Sequence, residues 1–313
     1  MLSAYTFEDI ESDTSATTQA LMVVLIVSFA GSFPLLLQGN VKYFVVMAIR
    51  SPETNVMVTS ATKVARALTR DFGEIEQLQT SRAGSAEFTE RAFNYGSSLL
   101  KETLTRAHPE REVFLAGVGN SKFNNTGELW IANPICGRIN FSHGIPHFAV
   151  TIAHVRANET LATVIYDSVH DDLYWAEKGI GAYRNDRRIR VSERRQIKDT
   201  VIGNHEENNN DPFAQQARGN LAQHAGDVRI LGSIALDLAY VAAGSLDGFW
   251  SLSALPADCV SGALLVQEAG GFASGLSGTS KPSEGNGILA ANGRLHATLG
   301  ALLRQAQSHS SVR

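Results

Sequence analysis

"WIANPICGRINFSHGIPHFAV", residues 130–150, decides how the rest of the chain is read. A short apolar strand, Trp130 to Ala132, is expected to run into Asn133-Pro134-Ile135-Cys136-Gly137-Arg138, where proline and glycine enforce a tight turn. Junctions of this kind gather carboxylates around metal ions. Here the two positions that would carry them hold an amide, Asn133, and a thiol, Cys136. A helix beginning near Gly137 would offer free N–H groups and a positive end to a phosphate; an ordinary tight turn is the plainer reading of the same residues.

Outward from this stretch the pattern is that of a sheet. Phe148, Val150 and Ile152 alternate with smaller residues in "HFAVTIAHV". "VFLAGV", "ELWIA", "LATVIYDSV" and "DLYWAEKG" follow suit, and "AYRNDRRIRV" reads as two strands joined by Asn185-Asp186. The middle of the chain is therefore an antiparallel meander. Upstream, Met57, Ala61, Val64, Ala65, Leu68 and Phe72 recur at helical spacing until Gly73, and a second helix is expected from about Phe93 to Leu104. After about Arg194 strands and helices alternate: "VRIL", a helix with Ile234, Leu238 and Val241, "DGFW", a helix over about 258–269, "GILAAN" and a final helix. The expected class is α+β in two lobes, an N-terminal α+β lobe over 52–194 and a C-terminal α/β lobe over 195–313.

Residues 1–51 form an apolar extension of a different character. From Ala20 to Leu37 no charge occurs over 18 residues, near the minimum for a bilayer-spanning helix. Yet Glu8, Asp9, Glu11 and Asp13 precede it and the first basic residue is Lys42, the reverse of a signal peptide. A membrane segment, a packed or unstructured extension and a misassigned start all remain open. With only two cysteines, Cys136 and Cys259, the chain fits a reducing, cytoplasmic compartment. The net charge of −4 supplies no footprint for a nucleic-acid backbone.

Other chemistry-bearing positions are sparse. Asp258, in "LPADCVSGALLVQEAGG", could face a metal or cap its helix, and capping is the default. His143 and His147 are separated by Gly144 and Pro146, which breaks the helical spacing a zinc pair would use, so structural hydrogen bonds are expected. Tyr183, Arg187 and Arg188 are expected on a solvated face.

Taken together, "NPICGRINFSHGIPHFAVTIA", "AEKGIGAYRNDRRIRVS", "GSIALDLAYVAAGSLDGFW" and "PADCVSGALLVQEAGG", in this order, resemble the inositol monophosphatase family, particularly its SuhB-type bacterial members. The resemblance covers about residues 54–303. It implies a layered α-β-α-β-α sandwich, a homodimer, a phosphorylated small molecule as ligand and magnesium-dependent phosphomonoester hydrolysis. It also implies a protein partner, since SuhB-type relatives associate with transcription machinery.

The same resemblance makes the substitutions visible. The family pattern from 133 onward reads D-P-[IL]-D-G-T, with both aspartates and the Ile135 carbonyl as metal ligands. Here Asn133 and Cys136 replace the aspartates and Arg138 the water-orienting threonine. The G-E-E motif falls on Ala116-Gly117-Val118, so Gly117 stands where a glutamate would bridge metals. Phe93 takes the place of a water-activating aspartate and Ala83 that of a lysine, while Ser251 replaces the glutamate that would contact the inositol ring. Of the carboxylates Asp258 alone survives, beside Ala257 in place of a tryptophan. The implied ligand contacts are Gly137, Arg138, Gly232, Ser233 and Ser251. Magnesium wants six hard oxygens, and one carboxylate, an amide and a thiol opposed by a guanidinium speak against its binding. The expectation is a catalytically impaired pseudoenzyme that retains phosphate-ligand or protein binding, the alternative being a phosphomonoesterase acting on inositol 1-phosphate or related sugar phosphates. Arg138 beside Gly137 could serve as a phosphate's counter-charge in place of magnesium.

Overall fold

The computed structural model describes residues 49–78, 82–117, 127–206, 210–276 and 287–310. Residues 1–48, Val118 with the glycine-containing stretch after it, residues 277–286 and the Ala83 side chain lie outside the described residues. Among the described residues no helix is long and apolar enough to cross a membrane.

The compact unit begins at Ser51. There the Ser51 hydroxyl accepts the Thr54 N–H at 3.2 Å and Pro52 occupies the first helical position, a pairing that starts helix α1, Pro52–Leu78. The sequence pattern placed the end of α1 at Gly73, but the helix continues because Ile75, two residues on, is fully buried and offsets the glycine's cost of ~1 kcal/mol. Helix α2, Arg82–Ala107, likewise starts earlier than expected. The part before Phe93 packs through small residues, Ser85, Thr89 and Ala92, which carry no strong apolar signal.

Strands β1 (Glu112–Leu115), β2 (Glu128–Cys136), β3 (Ala149–Arg156), β4 (Glu159–Asp167), β5 (Asp172–Glu177), β6 (Gly181–Arg184) and β7 (Arg187–Arg188) form a seven-stranded sheet in chain order. Only β1 and β2 are parallel; from β2 onward the sheet is the expected antiparallel meander. Asn185 and Asp186 both have positive φ, as a two-residue hairpin turn demands. Strand β2 runs past the expected end at Ala132 to Cys136 by way of a bulge between Asn133 and Cys136, where Pro134 has no N–H to donate to β3. A five-residue helix α3, Arg138–Ser142, follows directly.

The second sheet combines β8 (Val201–Asn204), β9 (Asp227–Arg229), β10 (Gly248–Ser251), β11 (Gly271–Ser274) and β12 (Ile288–Asn292) in the order β11-β12-β10-β8-β9. Four helices complete the fold: α4 (Pro212–His224), α5 (Ile234–Ala242), α6 (Pro256–Glu268) and α7 (Leu295–Ser310). Helices α1 and α2 cover the outer face of the large sheet, α5 and α6 lie between the sheets, and α4 and α7 cover the outer face of the small one. The result is a layered α-β-α-β-α sandwich. Its central core joins Ile165 and Tyr174 of the first sheet to Leu238, Leu265, Ile288 and Ala290.

Candidate functional site

The β2 bulge, the amino end of α6, the end of β1 and the middle of α2 converge. Asn133 sits in the bulge with its Oδ1 accepting the Ile135 N–H at 3.0 Å, which fixes the turn, while its Nδ2 donates to Asp258 Oδ1 at 3.5 Å. Asp258 is not the helix cap expected of it: the N-cap position belongs to Leu255, which makes no side-chain cap, and the carboxylate turns toward the bulge. Ile135 is buried in the same turn.

Cys136 points inward. Its Sγ accepts the Ala235 N–H at 3.5 Å and its carbonyl accepts the Ser233 hydroxyl at 2.8 Å, so the thiol belongs to the core between the sheets. Burial, with the Asp258 charge adding to it, pushes the thiol up to about 12. Gly137 follows with φ 110°, and a Cβ there would lie 2.9 Å from the His147 carbonyl, so only glycine turns the chain into α3 at this point.

Arg138, the first residue of α3, reaches across to the other elements. Its guanidinium carbon stands 3.3 Å from the centre of the buried Phe93 ring of α2. One of its nitrogens donates to the Gly117 carbonyl at 3.2 Å and another lies 3.7 Å from Glu90 Oε2. Burial draws the guanidinium below its ordinary value, while Glu90 and Asp258 act the other way. Gly117 has φ 77°, and a Cβ on it would come within 3.1 Å of the same guanidinium. The parallel pairing of β1 with β2 places Gly117 here, the Ala116 N–H donating to the Ala132 carbonyl at 2.9 Å.

The residues expected around a ligand are committed to the protein itself. Ser233 donates to Cys136, and Ser251, fully buried, accepts the Ala254 N–H at 3.0 Å. Gly232 packs against the Asn140 amide, which donates to the His147 and Leu231 carbonyls, both at 2.7 Å. Three further groups carry no local motif. Glu206 accepts the Leu252 N–H at 2.6 Å and the Ser253 N–H at 3.1 Å, anchoring the loop between Ser251 and Asp258; burial raises its carboxyl despite those bonds. His147 Nε2 lies 2.8 Å from Oδ1 of the fully buried Asp237, whose carboxyl burial also raises. Asp237 had one visible signal, a lone charge in the apolar helix "IALDLAYVA".

A model of the inositol monophosphatase family matches residues 50–308. The chain belongs to the inositol monophosphatase family. It is 39% identical over 248 residues to the inositol-1-monophosphatase of Rhizobium meliloti, covering 78% of this chain and 92% of that one. With the inositol-1-monophosphatase of Mesorhizobium japonicum it shares 40% over 251 residues, again 78% and 92%. It is 30% identical over 270 residues to the Nus factor SuhB of Escherichia coli K12, covering 84% and 99%. Among solved structures, the extragenic suppressor protein suhB of Bartonella henselae superposes with a TM-score of 0.72 at 34% identity, covering 81% of this chain and all of the other. The inositol monophosphatase of Anabaena gives 0.69 at 27%, covering 80% and 94%.

Proteins of the inositol monophosphatase family are generally metal-dependent, so the residues here can be tested against magnesium. Near-octahedral magnesium requires hard oxygen donors, several of them charged. The bulge and α6 offer one carboxylate, two neutral oxygens, those of the Asn133 amide and the Ile135 carbonyl, and a protonated sulfur turned into the core. Among the described residues no three His, Cys, Asp or Glu side chains are arranged to hold a metal ion. The donor set does not fit a magnesium pair.

Proposed function

We propose that this chain keeps the cleft of an inositol monophosphatase without its magnesium-dependent hydrolysis, and uses it to bind a phosphorylated small molecule or a protein partner in the cytoplasm. The observation that carries the reading is the donor set just described: the charged oxygens needed to hold and polarise a divalent ion are absent at Asn133, Cys136 and Gly117. Removing one charge-stabilising contact from a transition state costs ~10²–10³ in rate. The losses here are several and coupled, so turnover should fall by several orders of magnitude. Arg138 and Gly137 are the proposed contacts for a phosphate; Ser233 and Ser251, buried and bonded within the protein, support the turn from behind. Because Glu90 and Asp258 already act on the guanidinium, a phosphate has to compete with them and should bind weakly.

A second reading is supported by the two inositol-1-monophosphatases at 39% and 40% identity. In it the chain is a phosphomonoesterase acting on inositol 1-phosphate or related sugar phosphates through Asp258 and the Ile135 carbonyl. Phosphate release from myo-inositol 1-phosphate, measured across millimolar magnesium, decides between them. No magnesium-dependent release supports the first reading, and turnover near that of the Rhizobium meliloti protein establishes the second. Homodimer formation, and a partner of the kind suggested by the likeness to a Nus factor, are proposals checked by sedimentation and by pull-down with the full chain.

A further inference from the structure

Arg138 touches two other positions where the chain departs from the family pattern. Phe93 lies on α2, Gly117 at the end of β1 and Arg138 at the start of α3, yet the guanidinium is 3.3 Å from the Phe93 ring centre and 3.2 Å from the Gly117 carbonyl oxygen. A flat aromatic face lets a guanidinium stack where an aspartate would have drawn it into an edge-on ion pair. A residue at 117 with a Cβ would press on that guanidinium at 3.1 Å, and the φ of 77° already disfavours one.

Charge points the same way. By the family pattern, carboxylates at 117, 133, 136 and 258 would face divalent cations. Here Asp258 alone retains the charge, and Arg138 is the cation near it; Glu90, the other carboxylate within reach, is 60% exposed and well screened. The local balance is close to neutral with no ion added. A further cation would meet an adjacent guanidinium with only one acidic ligand in the bulge to offset it.

We propose that Arg138 is a tethered cation standing in for the divalent ions of this cleft, and that Phe93, Gly117 and Arg138 act as one interdependent unit tying α2 to the end of β1. The inference rests on the reading that the cleft takes no magnesium pair. The lost ligands are thereby replaced: a side chain of α3 holds α2 and the end of β1 together beside the bulge.

The test is a double-mutant cycle in the full chain with Arg138→Ala, Phe93→Leu and both together, read by urea unfolding, with Arg138→Lys as a variant that keeps the charge and loses the planar stack. The singles should be non-additive, with a coupling of ~5- to 30-fold in the unfolding constant, the range for a desolvated cation–π contact. Arg138→Lys should lose most of that coupling. Amide exchange over residues 112–117 should accelerate in Arg138→Ala, and magnesium chloride should leave wild-type exchange as it is in sodium chloride of equal ionic strength. Additive singles, or magnesium protection of residues 112–117 in the wild type, overturn the proposal. Its failure is separable from that of the functional reading: additive singles without phosphate release defeat the tethered cation alone, whereas magnesium-dependent phosphate release from the wild type defeats the reading beneath it.

Discussion

Cys136 makes the sharpest measurable claim about the altered site. Its ordinary value is 9.0 and burial beside Asp258 raises it to about 12, which corresponds to ~4 kcal/mol in favour of the protonated thiol. At pH 8 roughly a tenth of an exposed thiol is ionised, against roughly one part in ten thousand here, and the residue is buried besides. Ellman's reagent should therefore find no reactive thiol in the native chain at pH 8 and both cysteines, Cys136 and Cys259, after unfolding in guanidinium. Zinc should likewise fail to bind at the β2 bulge, since it needs the thiolate. The same displacement sets a pH dependence. A thiol raised in the folded state favours folding fully below pH 9.0, and that contribution is lost as the pH climbs toward about 12, so stability should fall over this window. Cys136→Ala should flatten the fall in part, leaving the portion due to Cys259. Native labelling of Cys136 at pH 8 at a rate within tenfold of the unfolded chain would refute the burial argument, and with it one leg of the case against a metal at this turn.

Other outcomes follow from the surrounding packing. His147→Ala strips the buried Asp237 carboxyl of its hydrogen-bond partner and should cost ~1–3 kcal/mol near neutral pH. Because burial raises that carboxyl, protonation relieves the deficit, so urea midpoints of mutant and wild type should converge as the pH is lowered. Gly262→Ala drives a Cβ to 2.4 Å from the Leu238 side chain where α5 crosses α6, an overpacking worth ~1–3 kcal/mol by urea unfolding, with Asp258 displaced along with its helix. Glu206→Ala frees two N–H groups in the loop before Asp258 and should cost ~2–3 kcal/mol, with faster amide exchange at Leu252 and Ser253.

The fold was legible where side chains alternate or repeat. Strands β3 to β6, the Asn185-Asp186 hairpin and, after Arg194, the elements β9, α5, β10, α6, β12 and α7 follow from local pattern, whereas β8, α4 and β11 gave no signal that was read. The ends of α1 and α2 were not, since a buried Ile75 beyond Gly73 and a run of small buried residues in α2 are tertiary facts with no periodic signature. The site divides the same way. Residues 133–138 are contiguous, so their turn could be read directly, although its bulged continuation of β2 could not. Phe93 and Gly117 reach the site only through helix packing and the parallel β1–β2 pairing, and they could be placed beforehand only by the family resemblance. Glu206 and Asp237 act through backbone N–H groups and a distant histidine, which no spacing in the sequence reveals.

Which substitutions the turn tolerates says what each residue was for. Asn133 has nearly the shape of aspartate, and its Oδ1 still accepts the Ile135 N–H, so the bend survives intact. What changes is the other arm: an aspartate would set a second negative oxygen against Asp258 and need a cation between them, whereas the amide donates a hydrogen bond to Asp258 and removes that need. Cys136 makes the same exchange in the core, filling space beside Ala235 without a charge to neutralise. Backbone geometry and electrostatic demand are thus separable at these positions, and the chain has kept the first while dissolving the second. It follows that restoring Asn133→Asp or Cys136→Asp singly should destabilise the protein, because each adds a carboxylate with no counter-ion. Restoring both with Gly117→Glu and Arg138→Thr should instead give a chain whose melting temperature rises with magnesium. If the single reversions prove harmless, or the fourfold one ignores magnesium, the two roles are not separable and the local charge balance does not govern this cleft.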